Sequence, residues 1–78
     1  MKDLTLLDYF ERDDNEWVAI GFTRGQTNQF VYRVEVQDGD AHFYEHYNTL
    51  DGELNKRLAH DKFDEFASKF STPKVRVL

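Results

Sequence analysis

Hydrophobic and polar residues alternate along the middle of the chain in a way that is typical of a β-strand followed by a tight turn. Residues 30–37 place Phe30, Tyr32, Val34 and Val36 on one side and mostly polar residues on the other. Asp38-Gly39 follows, a dipeptide that accepts the positive φ angles of a two-residue type I′ turn. The pattern therefore predicts a β-hairpin over residues 30–47.

A loop made of Asp38 and Gly39 would also fix which residues face each other in the hairpin. The expected pairs on the apolar side are Val36 with Ala41, Val34 with Phe43, Tyr32 with Glu45, and Phe30 with Tyr47. The expected pairs on the other side are Gln37 with Asp40, Glu35 with His42, Arg33 with Tyr44, and Val31 with His46. The hairpin then has one apolar side and one side that carries aromatic, basic and imidazole groups.

The first third of the chain adds one clear strand and one ambiguous segment. Residues 16–23 alternate with Val18, Ile20 and Phe22 on one side, and a polar loop over 24–28 leads into the hairpin. Residues 4–11 fit either a strand or a short helix, since Asp3 could cap a helix and Thr5 with Asp8 resembles a capping box. The short N-terminal helix is the favoured interpretation.

The last third of the chain predicts a helix that begins late. A second Asp-Gly, Asp51-Gly52, precedes residues 53–58, which fit a fourth strand or a short helix, with the strand favoured. In a single helix over 53–70, Leu54 and Leu58 would point away from the later phenylalanines. We therefore expect a helix that is capped by Asp61, runs to Phe70 and is ended by Pro73, with Val75 and Val77 as a short edge strand.

Together these elements predict a single domain, residues 1–78, of the α+β class. Its antiparallel meander sheet has three to five strands, and the C-terminal helix packs on the apolar side. The expected core consists of Val18, Ile20, Phe22, Phe30, Tyr32, Val34, Val36, Phe43, Phe63, Phe66 and Phe70.

Composition removes several classes of chemistry. Cysteine is absent, which excludes disulfides, thiolate metal sites and cysteine nucleophiles. The longest apolar run, Trp17–Ile20, is too short to span a membrane, and the start of the chain lacks a signal-like apolar stretch. We expect a cytoplasmic protein without a membrane association. With a net charge of -5, the chain also lacks the basic surface that binding to a phosphate backbone needs, so we expect no direct nucleic-acid ligand.

Residues capable of catalysis or metal binding do not form a recognisable motif. His42 and His46 share one side of a strand, but four strand steps separate them by roughly 13 Å, too far for one zinc ion. We expect surface histidines, with His42 next to Glu35, and no metal or cofactor. Glu45 falls on the apolar side, where it would either act as a proton carrier or lie toward a sheet edge, accept a bond from Tyr32, Lys56 or Arg57, and reach water. An enzyme is not expected, although a small enzyme or ligand binder using Glu45 and His46 is the alternative.

Two surfaces are candidates for binding. Acidic residues near two turns should meet at one end of the sheet, where they would attract a basic surface; these are Asp13, Asp14, Glu16, Asp38 and Asp40. Turn formation alone also selects Asp at such positions. The sheet side opposite the core carries Trp17, Val31, Arg33, Tyr44 and His46, residue types that include those dominating interface energies. Alternatively, the N-terminal segment folds over Trp17 and Arg33 simply stacks on Tyr44.

We therefore expect a small acidic non-enzymatic module that binds another protein, with homodimerisation as a further alternative. In size, acidity and lack of cysteine the chain resembles the small inhibitors that phages encode against host defence nucleases, some of which mimic nucleic acid. The resemblance implies an inhibitor that covers a basic partner surface. No residue motif accompanies it, so it assigns no functional positions.

Overall fold

The computed structural model describes residues 4–72, which form four β-strands and one α-helix. The elements are β1 (Thr5–Asp13), β2 (Glu16–Arg24), β3 (Phe30–Asp38), β4 (Ala41–Tyr47) and α1 (Gly52–Ser71). The strands pair antiparallel in chain order, and α1 packs mainly against the central strands β2 and β3. The fold is the α+β meander expected from the sequence, with four strands. The predicted strand at Val75 and Val77 and the stop at Pro73 lie outside the described residues.

The core lies between α1 and the inner face of the sheet, the face that carries Val18 and Ile20. The side chains with the least exposure are Val18, Ile20, Val34 and Val36 from the sheet and Ala59, Phe63 and Phe70 from the helix. Full burial of a side chain of this kind contributes about 1.5–3 kcal/mol. Seven of the expected core residues are buried and Phe22, Phe43 and Phe66 pack against them partly buried, but Phe30 is 36% exposed. Phe30 ends up at the end of the sheet, where the Arg24 guanidinium lies 4.3 Å from its ring centroid.

The predicted hairpin register is wrong by two residues, although its two sides are right. The loop consists of Gly39 and Asp40, so Val36 faces Phe43, Val34 faces Glu45 and Tyr32 faces Tyr47. Only Gly39 in this turn has a positive φ, +65°, which suits the first loop position of a type II′ turn. A type I′ loop of Asp38-Gly39 would have required a positive φ at Asp38, which instead stays in β3.

The favoured N-terminal helix is also wrong, because β1 occupies residues 5–13. Its pairing with β2 shifts between Leu6 and Asp8 and again between Glu11 and Asp13. These shifts make Leu7 and Arg12 the extra residues of two β-bulges, and a bulge interrupts the alternation by which a strand is recognised. The resulting spacing of apolar residues imitated a helix.

The helix begins ten residues earlier than predicted, and the expected strand over 53–58 does not form. Asp51 is the N-cap, and its carboxylate accepts bonds from the amides of Glu53 and Leu54, both at 3.1 Å. Asp61 is an ordinary helical residue. The buried positions of the first half are Asn55 and Ala59 rather than Leu54 and Leu58. Together with Phe63 and Phe70 they form one buried stripe along the helix. One polar residue in the stripe concealed a continuous helix.

Two polar side chains fix the ends of α1. Asn55 is fully buried, and its amide nitrogen donates to the carbonyls of Phe30, at 2.8 Å, and Thr49, at 2.9 Å. At the other end, the bulge residue Arg12 donates to three backbone carbonyls, those of Lys69, Phe70 and Thr72, over 2.6–2.7 Å. These bonds satisfy carbonyls that a helix end leaves unpaired. They hold α1 against the inner face and leave the opposite face of the sheet without a second layer among residues 4–72.

Candidate functional site

The face of the sheet that points away from α1, here called the outer face, has the most distinctive surface chemistry. Alternation along the strands assigns it Tyr9 and Glu11 from β1, Trp17 from β2, Arg33 and Glu35 from β3, and His42, Tyr44 and His46 from β4. Tyr44 is 52% exposed and Tyr9 45%. A folded chain rarely leaves so many large rings uncovered on one side, and such a patch often marks a contact site.

Arg33 and Tyr44 contact each other in the half of this face that β3 and β4 form. The Arg33 guanidinium carbon lies 4.2 Å from the Tyr44 ring centroid and a guanidinium nitrogen lies 3.8 Å from a carboxylate oxygen of Glu35. His46, which is paired with Arg33 across the strands, packs edge-on to Tyr44 with centroids 5.3 Å apart. The predicted stacking of Arg33 on Tyr44 therefore forms, but it runs diagonally between strands because of the register shift.

On the outer face, Trp17 contacts residues of both edge strands, β1 and β4. Its ring centroid lies 6.0 Å from that of Tyr9 on β1 and 6.0 Å from that of His42 on β4. His42 in turn bonds Glu35 through Nε2 at 2.7 Å, the contact expected from the sequence. The N-terminal segment lies beside Trp17 as strand β1, so it flanks the ring and does not fold over it.

A small depression of about 120 Å³ opens on the outer face between β1 and β3, lined by Leu4, Leu6, Ala19, Ile20, Gly21, Arg33 and Glu35. Gly21 creates the space, since a Cβ there would come within 3.0 Å of the Thr5 carbonyl oxygen. The Nε of Arg33 is buried and has no acceptor among the described residues. The depression therefore offers mainly apolar walls.

The predicted acidic group gathers at one end of the sheet, with three members on the helix side of the strands and two in the turns. Glu16 is paired with Asp13 on one side and Asp38 on the other, and the Gly39 amide donates to the Asn15 carbonyl at 2.8 Å. Glu16 bonds Arg12 at 3.4 Å, and Asp38 bonds Lys69 of α1 at 2.6 Å. The remaining two acids, Asp14 and Asp40, are exposed in the turns. Three of the predicted contact residues therefore belong to the helix side, and two of them, Glu16 and Asp38, are engaged by cations of the chain itself.

Glu45 and His46 lie on opposite sides of β4. Glu45 is exposed on the inner side, where it accepts a 2.7 Å bond from the Tyr47 hydroxyl, whereas His46 contacts Tyr44 on the outer face. The expected partners Tyr32, Lys56 and Arg57 are not the ones that Glu45 uses. Burial, followed by the bond to Glu45, raises the pKa of Tyr47 above its ordinary value. The two residues of the alternative enzymatic interpretation are thus not brought together.

Sequence reasoning missed Tyr9 and Glu11, because the segment that carries them was interpreted as a helix. In β1 both lie on the outer face, with Glu11 paired to Trp17. Partial desolvation and the nearby carboxylates of Glu11 and Asp14 raise the pKa of the Tyr9 hydroxyl. Interpreting residues 8–11 as a strand would have placed Tyr9 and Glu11 on the same side and so grouped them.

Other kinds of site find no support in the part of the chain that the structure describes. Residues 4–72 contain no group of three or more His, Asp or Glu side chains placed to hold a metal ion. Among them, no helix combines the length and the apolar character that crossing a membrane requires. The larger surface depressions are open and lie at the start of α1 and the β2–β3 loop. No protein-family model, curated protein or solved structure matches the chain.

Proposed function

We propose that this chain is a non-enzymatic module that binds another protein through its outer face. The single observation that carries the proposal is the uncovered sheet face on which Trp17, Arg33, Tyr44 and His46 are connected through His42 and Glu35. Tryptophan, tyrosine and arginine supply most hot-spot energy at interfaces. Their rings are already held by neighbours, so little side-chain freedom would be lost on binding.

Charge and shape favour a protein over the other classes of ligand. With a net charge of -5 the chain would gain no counterion-release energy from a nucleic acid, and its sheet face is broad and open where a small molecule needs enclosure. The exposed Asp14 and Asp40 adjoin one end of the face and would orient a basic partner surface. An inhibitor that covers such a surface is one form of this function, and the cysteine-free composition suits the cytoplasmic setting we assume for it.

The test begins with affinity purification from the source organism and then measures binding of the purified partner by calorimetry. Tyr44→Ala should weaken binding by at least about tenfold, as expected of a hot-spot residue. Its melting temperature should stay close to that of the parent chain, because the ring is half exposed. Leu50→Ala is the matched control, since Leu50 is 79% exposed and lies outside the outer face.

Equal binding by Tyr44→Ala and Leu50→Ala would reject the outer face as the contact site. A large loss of stability in Tyr44→Ala would assign the ring to the core. A mass that rises with protein concentration, and that Tyr44→Ala reverses, would replace the foreign partner by a second copy of the chain.

A further inference from the structure

The outer face contains two sets of side chains with the same chemical composition, of which only one is complete. In the first set, a tyrosine ring, a carboxylate and a guanidinium meet, with Arg33 at 4.2 Å from the Tyr44 centroid and 3.8 Å from Glu35. An aromatic face and a carboxylate together attract a guanidinium, through the ring quadrupole and through charge. The chain thus contains its own example of what this arrangement binds.

The second set consists of Tyr9, Trp17 and Glu11, and it has the rings and the carboxylate without the cation. Tyr9 and Trp17 lie with centroids 6.0 Å apart and planes inclined by 33°, and Glu11 is the strand partner of Trp17. Within residues 4–72, the arginines and lysines that contact rings do so at Phe30, Tyr44 and Phe66. No arginine or lysine of this part of the chain lies over Tyr9 or Trp17.

The charge around the second set is negative. Among the described residues, the exposed acids near this set are Glu11 on the outer face and Asp14 in the adjoining turn. Desolvation raises the pKa of the Tyr9 hydroxyl, and the charge of Glu11, its hydrogen bond to Tyr9 and the charge of Asp14 raise it further. By contrast, Glu35 in the first set already faces both Arg33 and His42.

We propose that Tyr9, Trp17 and Glu11 form a receptor for an arginine side chain of the partner protein. The inference rests on the proposed function and specifies which part of the outer face recognises the partner. Arginine fits better than lysine, because its planar guanidinium can stack on the tilted rings while it forms a bidentate hydrogen bond with the carboxylate. A lysine ammonium would make the charge contact without the stacking.

The first experiment uses the full chain and a short probe, the peptide acetyl-Gly-Arg-Gly-Arg-Gly-amide. The matched probe replaces both arginines by citrulline, which keeps the shape of the side chain and removes its charge. Trp17 is the only tryptophan, so its fluorescence and its indole NMR signal report directly on this place. Titrations are run at about pH 8, above the ordinary histidine pKa of about 6.5.

The arginine peptide should shift the Trp17 and Tyr9 signals saturably, and the citrulline peptide should not. Tyr9→Leu and Glu11→Gln should each weaken binding by about three- to fivefold, the factor expected for one exposed cation–ring or charge contact. Asp64→Asn is the charge-matched control, because Asp64 is exposed on α1. Its binding should equal that of the parent chain.

Three results would overturn the inference. The first is an equal effect of Glu11→Gln and Asp64→Asn, which would show attraction by net charge alone. The second is a Trp17 signal that differs between the parent chain and the double variant Lys74→Gln/Arg76→Gln without any probe. That difference would show that the chain's own cations occupy the receptor. The third is a concentration-dependent mass that Glu11→Gln abolishes, which would make the occupant a second copy.

The same variants separate this inference from the proposed function. If Tyr44→Ala abolishes binding of the purified partner while Glu11→Gln and Tyr9→Leu bind normally, the interaction module stands and the arginine receptor is refuted. If all of these variants bind like the parent chain, the outer face itself is refuted.

Discussion

Replacing the buried Asn55 by aspartate should destabilise the fold by about 3 kcal/mol, because one side-chain amide connects α1 to the sheet and to the loop before it. Its nitrogen donates to the Phe30 carbonyl at 2.8 Å and the Thr49 carbonyl at 2.9 Å. Its oxygen accepts from the amide of Thr49 at 2.9 Å and from its hydroxyl at 2.7 Å. Aspartate has almost the same shape, so the change isolates hydrogen bonding and charge from packing.

The magnitude follows from the two donors that disappear. A buried carbonyl left without its donor costs about 1–3 kcal/mol, and Asn55→Asp strands two of them opposite a carboxylate. The folded domain has a total stability of about 4–12 kcal/mol at this length. A loss of about 3 kcal/mol should lower the melting temperature by roughly 12–24 °C.

Acid should partly reverse the loss. Burial raises the pKa of the introduced carboxyl in the folded state, so the folded variant holds a proton more tightly than the unfolded chain. The charge penalty is therefore full above that raised pKa and shrinks as the pH falls toward the ordinary value of about 4. A protonated carboxyl also regains one donor for one of the two carbonyls.

The assay is urea denaturation followed by circular dichroism and Trp17 fluorescence at neutral and mildly acidic pH. Asn48→Asp is the matched control, since Asn48 is exposed and the same chemical change there should cost little. A loss below about 1 kcal/mol in Asn55→Asp, or a loss equal to that of the control, would refute the role assigned to the amide.

Three further predictions concern the ends of α1, the β3–β4 turn and the alkaline limit of stability. Arg12→Lys should lose about 2 kcal/mol in urea denaturation, because one ammonium cannot reach the three helix-end carbonyls, while the exposed Arg57→Lys should change little. Gly39→Ala should cost about 1 kcal/mol, since φ is +65° there, and a neutral result would contradict the turn geometry. Burial and the bond to Glu45 raise the pKa of Tyr47 in the folded state. Its contribution to folding stability is therefore complete at neutral pH and is lost as the pH rises above the ordinary value of about 10. Stability should then fall more steeply in the parent chain than in Tyr47→Phe.

The sequence predicted the central part of the fold because strict alternation leaves few options there. Residues 16–23 and 30–37 alternate without interruption, and they became β2 and β3 with Val18, Ile20 and Val34 buried. The sides of the hairpin were right for the same reason. The register was wrong because Asp38-Gly39 and Gly39-Asp40 are both acceptable two-residue loops, and a shift by two residues preserves the sides.

The ends of the chain were harder because each contains a residue that breaks the expected period. In β1, Leu7 is an extra residue, so Leu6 and Tyr9 share the outer face although three positions separate them. In α1, Asn55 takes a core position that a hydrophobicity pattern assigns to an apolar residue. The hydrogen bonds of Asn55 to backbone groups outside the helix offset the cost of burying its amide. The sequence around Asn55 does not predict these bonds.

The same errors explain why the candidate site was only half predicted. Trp17, Arg33, Tyr44 and His46 lie on strands that the pattern identified, and they share the outer face. Tyr9 and Glu11 lie on the strand that it did not identify. Predicting them required the Arg12 bulge, since the extra residue there makes Glu11 rather than Arg12 the strand partner of Trp17.

The Arg12 bulge gives β1 a role on each face of the sheet. The bulge at Arg12 turns its guanidinium toward the end of α1, where it bonds three carbonyls. The same bulge makes Glu11 the strand partner of Trp17, which places Glu11 and Tyr9 on the opposite face. Because the two sets of contacts leave the strand in opposite directions, substitutions at Arg12 should act on stability and substitutions at Glu11 on binding. Variants of neighbouring residues in one strand can therefore separate folding from recognition.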